Sequence, residues 1–416
     1  MLNLGTGSTW PGHIALQLSP RIITSLSSQL KKGVIVIAGT NGKTTTSKMV
    51  TEILINSGNT VITNHKGANL LNGIASCLLT AADFSGKIDS DWAVFEVDEA
   101  TFPLLLTYIK PHLIVFLNLF RDQLDRYGEI DTIAGIWKKS LANLDSQTTL
   151  VLNADDPGIA FLGNGLKAKT VYFGINDHQY YSEKLDYASD SIFCPRCNFR
   201  LNYITTTFSH LGNWVCPKCN LQRPNILINK WDYFPLPGTY NVYNTLAGIT
   251  AAKVLGVNDG KIRQSLEHFL PAFGRQEEIG IGNKKIVIYL SKNPTGFNES
   301  LKTVIFRKNL RNIIIALNDN IPDGRDISWI WDVDFEMLKE TNCQIMVSGK
   351  RALDMTLRLK YAGIPNNRII IESNLNQVIQ LGLKDIRSPD ILYILPTYSA
   401  MLEARKILGT MSAKYN

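Results

Sequence analysis

The sequence contains no apolar run approaching the ~18 residues that a membrane-spanning helix requires, so no transmembrane segment is expected. Residues 1–32 lack the charged start and apolar core of a secretory signal, which predicts a cytoplasmic protein. No dense Lys/Arg cluster is present. Forty-three basic residues against 36 acidic ones leave a net charge of +7. That balance reads as a solvated surface with a weak pull toward anionic substrates or a lipid surface, and no nucleic-acid partner is expected. Internal repeats and low-complexity tracts are also missing. Cysteine is scarce, with six in 416 residues, which argues against a disulfide framework.

What is present points to two α/β domains, since 416 residues exceed what one core usually holds. Residues 1–32 read as a lead-in helix. From residue 33 to 277, apolar runs such as Val34 to Ala38, Trp92 to Phe95, Leu113 to Leu117 and Thr149 to Leu152 alternate with helical stretches. Continuous apolar strands separated by helices imply a parallel sheet covered on both faces. The polar, aromatic stretch 190–225 breaks this rhythm and reads as an insertion. A second, smaller series of strand and helix patterns occupies 278–416.

The first apolar strand runs into Gly39-Thr40-Asn41-Gly42-Lys43-Thr44-Thr45, which opens a helix. Glycines let a backbone approach phosphate oxygens, and a helix N-terminus offers free N–H groups and a positive dipole end. Lys43 is placed to reach the terminal phosphates of ATP, and Thr44 to ligate Mg2+. Only two residues separate the glycines, where the common phosphate loop has four.

Cys194, Cys197, Cys216 and Cys219 follow a C-x2-C-x18-C-x2-C spacing. Two such knuckles supply four thiolates for closed tetrahedral Zn2+ coordination, a structural site without an open position. A redox dithiol pair and unrelated cysteines are the alternatives. Arg196, Arg200, Lys218 and Arg223 in the same stretch leave open a nucleic-acid-binding ribbon.

The short loop resembles that of the Mur ligase superfamily, which includes folylpolyglutamate synthases and joins carboxylates to amines through acyl phosphates made from ATP. Further segments fit in the same order. Phe95-Glu96-Val97-Asp98-Glu99 ends a strand, and the resemblance makes Glu96 a Mg2+ ligand; a surface acidic cluster is the plainer reading of Asp98 and Glu99. Asn118 to Arg126 is similar to an Asn-x-x-x-Asp-His-x-Asp motif, with Gln123 in place of the histidine. Asn153-Ala154-Asp155-Asp156-Pro157 is another matching strand end. In Gly238-Thr239-Tyr240-Asn241-Val242-Tyr243-Asn244, the resemblance makes Asn241 and Asn244 nucleotide contacts. In Gly274-Arg275-Gln276-Glu277 it places Arg275 near the phosphates. Lys138 or Lys139 lies where many relatives carry a carbamoylated lysine. The implied fold is a Mur ligase-like P-loop domain with an inserted four-cysteine zinc ribbon, followed by a smaller Rossmann-like C-terminal α/β domain.

About thirty residues precede the loop, too few for the uridine-nucleotide domain of ordinary Mur ligases. The resemblance narrows to a branch that amidates a lipid-linked precursor. It is carried by the ribbon, Gly67 to Leu70, Phe120 to Gly128, Ser291 to Asn298, and above all Leu317 to Trp329 with its Asp-Gly-Arg-Asp core. This implies ATP-dependent amidation of the D-glutamate α-carboxylate in the lipid II stem peptide, at the inner membrane surface. Ammonia would come from a GatD-type glutamine amidotransferase subunit. Asp326 is implied to support that glutaminase from the interface, although a turn or helix-cap aspartate before Ser328 is the plainer alternative. Lys292 is expected to reach the reacting groups when the second domain closes. Cys77 and Cys343, the cysteines outside the ribbon, read as core residues, so this chain needs a separate ammonia source. A ligase adding an amino acid to another carboxylate acceptor, and a ribbon-bearing ATPase on nucleic acid, stand as rival readings.

Overall fold

The computed structural model describes residues 9–64, 68–121, 130–182, 190–228, 230–271, 275–305, 310–387 and 390–415. The chain forms two compact units that divide after Leu270. In the first, β1 (Gly33–Ala38), β2 (Val61–Thr63), β3 (Trp92–Val97), β4 (Leu113–Phe116), β5 (Thr149–Asn153) and β6 (Lys169–Phe173) build one parallel sheet in the order β2-β3-β1-β4-β5-β6. Successive strand residues point to opposite faces, and β1 feeds two cores. Ile35 and Ile37 pack with Met49 and Ile53 of the helix Lys43–Asn56 and with Leu246 and Ile249 of the helix Thr239–Val254. Val34, Val36 and Ala38 pack instead with Ile74 and Leu78 of the helix Leu71–Ala81 and with Trp137. Burial on both faces is why these strands read as unbroken apolar runs.

The expected single lead-in helix is two, Trp10–Leu18 and Ile22–Ser27, with Pro20 in the break, where its missing N–H cannot sustain a helix. The first lies against Leu71–Ala81 at Gly12, whose N–H donates to Ser76 Oγ at 2.8 Å. A Cβ on Gly12 would stand 1.9 Å from the Asn72 carbonyl oxygen, so only glycine allows the approach.

The insertion contains an antiparallel hairpin, β7 (Asn202–Phe208) and β8 (Leu211–Val215), turning through Ser209 at φ +50°. It is seated on the end of β5. Trp214 Nε1 donates to the Ala154 carbonyl at 3.0 Å, and the Gly212 N–H donates to the Asp155 carbonyl at 3.0 Å.

The second unit holds β9 (Arg275–Ile281), β10 (Lys284–Tyr289), β11 (Asn312–Ala316), β12 (Gln344–Ser348), β13 (Ile369–Ile371) and β14 (Ile391–Pro396), in the order β13-β12-β11-β14-β10-β9. All neighbours are parallel except β9, which pairs antiparallel with β10 through a two-residue turn at Gly282 and Asn283. Gly282 takes a positive φ of +57°, as a tight hairpin requires. This hairpin corrects the expected boundary at 277/278. Arg275 to Glu277 belong to the second sheet, because β9 hydrogen-bonds along the edge of β10.

Candidate active site

In the first unit the loop after β1 sits where the strand order turns, between β3 and β4, the usual ligand crevice of a doubly wound sheet. Gly39 has φ +141° and Gly42 has φ +91°, conformations that side chains resist. Space adds a second constraint: a Cβ on Gly42 would lie 2.0 Å from Asn244 Oδ1. The loop is clamped by the residues after β4. Asn118 Oδ1 accepts from the Asn41 N–H at 2.9 Å, and its Nδ2 donates to the Asn41 carbonyl at 3.1 Å. The Thr40 hydroxyl donates to the Phe120 carbonyl at 3.2 Å and accepts from the Phe120 N–H at 3.0 Å.

Lys43 opens the following helix and is buried. Its Nζ donates to the Gly39 carbonyl at 2.5 Å and reaches Glu99 Oε2 at 3.2 Å. The amine is therefore held inside the loop that would receive phosphate. Thr44 and Thr45 occupy the first helical turn, Thr44 half-buried and Thr45 buried.

Glu96 lies beside Ile37 of β1, on the face covered by the helix Lys43–Asn56. It is buried, and its Oε2 has no hydrogen-bond partner. Asn64 fixes its backbone from both sides, accepting from the Glu96 N–H at 3.0 Å and donating to the Glu96 carbonyl at 2.8 Å. An orphaned carboxylate oxygen beside a phosphate loop is the donor a hard cation completes, so the residues fit the implied magnesium. Asp98 and Glu99 are not a surface cluster. Both are buried; Asp98 Oδ1 accepts from the Ala100 N–H at 3.1 Å, ahead of the helix Thr101–Leu105, and Glu99 pairs with Lys43.

Asn244 joins the site directly, touching the loop at Gly42 and donating to Asn241 Oδ1 at 3.1 Å. Asn241 donates in turn to the Pro237 carbonyl at 2.8 Å. Lys138 is not exposed for modification. Its Nζ donates to the carbonyls of Phe161 and Leu162 at 3.0 and 2.9 Å, and to that of Asn164. It thus closes the end of the helix Pro157–Leu162, and burial lowers its pKa. Lys139 is exposed.

The paired aspartates after β5 are structural. Asp155 accepts from Arg223 Nε at 2.6 Å, from the Tyr243 hydroxyl at 2.6 Å and from the Ile175 N–H at 2.9 Å. Burial pushes its carboxyl above the usual range, and Arg223 opposes that rise. Asp156 accepts from the N–H groups of Leu119 and Ile159 at 2.9 and 3.1 Å, with His210 Nε2 3.5 Å away. Sequence reasoning missed Glu99, Asn118 and His210 as site neighbours and took Arg223 for a surface charge. Only Asn118 carried a local cue, standing first in its motif.

The four ribbon cysteines converge, their sulfurs all within 4.8 Å of one another. Cys194 and Cys219 approach to 3.6 Å, and Cys197 and Cys216 to 3.5 Å. Tetrahedral zinc with Zn–S bonds of about 2.3 Å sets sulfurs about 3.8 Å apart, so the cage fits that ion. The knuckles repeat one geometry. Asn198 and Asn220 take φ +56° and +55°, and their N–H groups close back on the Cys194 and Cys216 carbonyls at 2.8 and 3.0 Å.

Three expected site residues lie in the second unit. Arg275 is in β9, opposite Tyr289. Lys292 is half-buried, next to Asn293, whose Oδ1 accepts from the Gly296 N–H at 2.8 Å at the start of the helix Pro294–Ile305. Asp326 is exposed, its carboxylate accepting from the Ser328 N–H and hydroxyl at 2.8 and 3.0 Å. These bonds form a local turn just before the short 3-10 helix Ser328–Asp332, whose N-cap position is Ile327, while Asp323, buried nearby, ties the preceding turn Ile321–Asp323 to the N–H and hydroxyl of Ser399. Gly67, Gly274 and the motif residues from Asp122 to Gly128, Gln123 included, lie outside the described residues.

A parallel sheet with a Gly-Lys-Thr loop, an orphaned carboxylate on the neighbouring strand and a second α/β unit is the arrangement of a Mur-type ligase. The Mur ligase middle domain model matches residues 37–252, and the MurT ligase C-terminal model matches 290–401. The chain is 36% identical over 98% of its length to the lipid II isoglutaminyl synthase (glutamine-hydrolyzing) subunit MurT of Streptococcus pneumoniae (strain ATCC BAA-255 / R6), covering 93% of that protein. It is 34% identical to the same subunit of Staphylococcus aureus (strain COL), over 86% of this chain and 84% of that one. Among solved structures, a pseudomurein peptide ligase type C from Methanothermus fervidus superposes with a TM-score of 0.68 at 24% identity, covering 93% of this chain and 80% of that one. The chain belongs to the MurT family of Mur ligases.

Proposed function

We infer that this chain is the ATP-using subunit of a lipid II amidating enzyme in peptidoglycan synthesis. It would convert the D-glutamate α-carboxylate of the stem peptide to the amide of D-isoglutamine. The carrying observation is the intact loop, with Lys43 and the orphaned Glu96 carboxylate, in a chain similar along nearly its whole length to relatives named as glutamine-hydrolyzing synthase subunits. A carboxylate oxygen of the substrate attacks the terminal phosphorus of ATP, ADP leaves, and an acyl phosphate results. Ammonia nitrogen then attacks the acyl carbon, losing a proton as phosphate departs. Lys43 and the loop N–H groups stabilise charge on the transferring phosphoryl group. Thr44 and Glu96 would hold magnesium, which supplies further charge neutralisation when bound. Cys194, Cys197, Cys216 and Cys219 would hold a structural zinc.

A separate ammonia source is supported by the remaining cysteines. Burial pushes the Cys77 thiol up to about 12, and Cys343 is fully buried, so neither suits a glutaminase nucleophile. A docking surface for a GatD-type partner lies beside Asp326. Leu353, Leu357 and Tyr361 form an exposed stripe on the helix Ala352–Tyr361, and Trp331, five residues after Asp326, meets the Tyr361 ring at 5.4 Å. The nucleic-acid reading loses Arg223, which is engaged in the interior by Asp155.

The deciding experiment combines this chain, the amidotransferase encoded in the same genome, ATP, magnesium, glutamine and lipid II, and follows the stem peptide by mass spectrometry. Replacement of one hydroxyl by an amino group, lost in Lys43→Ala, is expected. No product from folded, ATP-binding proteins would sink the reading; an amino-acid adduct on the carboxylate, formed without the partner, would favour the amino-acid-adding rival. Lys292→Ala tests that residue separately, and unimpaired amidation would remove it from the mechanism.

A further inference from the structure

The tip of the ribbon displays side chains that the ligase chemistry leaves unused. From Ser191 to Trp231 the sequence has no aspartate or glutamate but carries Arg196, Arg200, Lys218, Arg223 and Lys230. Arg223 is internal, whereas Arg196, Arg200 and Lys218 are exposed. Among them stand two uncovered rings, Phe193 at 52% and Phe199 at 47% exposure. These groups share one end of the ribbon. Phe193 pairs with Arg200 in an antiparallel bridge, the Phe199 carbonyl closes the first knuckle on the Cys194 N–H at 2.8 Å, and Lys218 of the second knuckle lies 6.0 Å from the Phe199 ring centre. The cysteine cage beneath fixes the display.

Exposed rings flanked by cations, with no acidic residue between them, match the edge of an anionic bilayer. Aromatic rings settle at headgroup depth there, and Lys/Arg are drawn to the phosphates. We propose that this tip docks the chain on an anionic phospholipid surface, with Phe193 and Phe199 entering the headgroup layer and Arg196, Arg200 and Lys218 facing its phosphates. The inference rests on the reading above, which makes the substrate lipid-linked and so requires a meeting at a membrane.

The test is co-sedimentation of the full chain with its amidotransferase partner on phosphatidylcholine vesicles with and without phosphatidylglycerol. Binding is expected only with phosphatidylglycerol and should weaken as salt rises. Each surface cation contributes about fivefold in affinity, so R196E/R200E/K218E should lose on the order of a hundredfold or more. F193S/F199S should also bind more weakly, with zinc content unchanged in both variants. On lipid II in vesicles both variants should raise the apparent KM, R196E/R200E/K218E by about tenfold or more on the same grounds, while a precursor stripped of its lipid is amidated at the wild-type rate. Vesicle binding that is absent in the wild type, or unaltered in both variants, overturns the proposal. Tighter binding to single-stranded nucleic acid at matched salt overturns it in favour of that partner. Ribbon-dependent binding by a complex that amidates neither substrate would leave this surface standing and remove the functional reading instead.

Discussion

Lys43 has two tasks that mutation can separate. On the proposed reading its ammonium would be the phosphate-facing charge of the loop, and in the structure it is the partner of the buried Glu99 carboxylate. Removing one member of a buried pair leaves an uncompensated charge, worth about 3–5 kcal/mol. Lys43→Ala should therefore abolish amidation and also lower the denaturation midpoint of the first unit. Adding Glu99→Gln should restore the midpoint but no activity, which chemical denaturation and product assays read independently. Arg223→Ala should likewise cost about 3–5 kcal/mol by stranding Asp155, and pairing it with Asp155→Asn should recover much of that loss in the same denaturation assay. The loop was legible in the sequence because its signal is local: two glycines, a lysine and a threonine after an apolar strand. The partners of Lys43 and Asp155 were not, because Glu99 and Arg223 lie 56 and 68 residues away along the chain. Nothing local distinguishes a buried acid from an exposed one.

Among the elements, the ribbon was the most readable, since four cysteines at fixed spacing leave few geometries, and both knuckles close as the pattern implies. Its seat was opaque, being made by Trp214, Gly212 and Arg223 meeting residues on the far side of a strand and helix. Purified protein should contain one zinc per chain. Stripping it with a chelator, or replacing Cys216 with serine, should open the stretch from Ser191 to Arg223 to protease while leaving the parallel sheet intact, as fragment mass spectrometry would report. The β9–β10 hairpin was passed over for a different reason. Its first strand begins at Arg275, inside the Gly274–Glu277 stretch matched to a motif of the preceding domain, and the hydrogen bonding of that edge strand decided its membership.

At the scale of the molecule, each unit carries its own sheet with a core on either face, and these cores are separate clusters. The division into two α/β parts was visible from alternating patterns alone, and its position was displaced by a few residues. Separate cores predict two unfolding transitions by calorimetry. Because the phosphate loop lies wholly in the first unit, a non-hydrolysable ATP analogue at a hundred times its Kd should raise that unit's stability by about 2.7 kcal/mol. A common shift of both transitions would mean that the units unfold as one.

The lock between Asp155 and Arg223 also makes the insertion a plug for the end of β5. Without it the Asp155 carboxylate, the Tyr243 hydroxyl and the Ala154 carbonyl would lose Arg223, Thr207 and Trp214 as partners and open to water beside the central sheet.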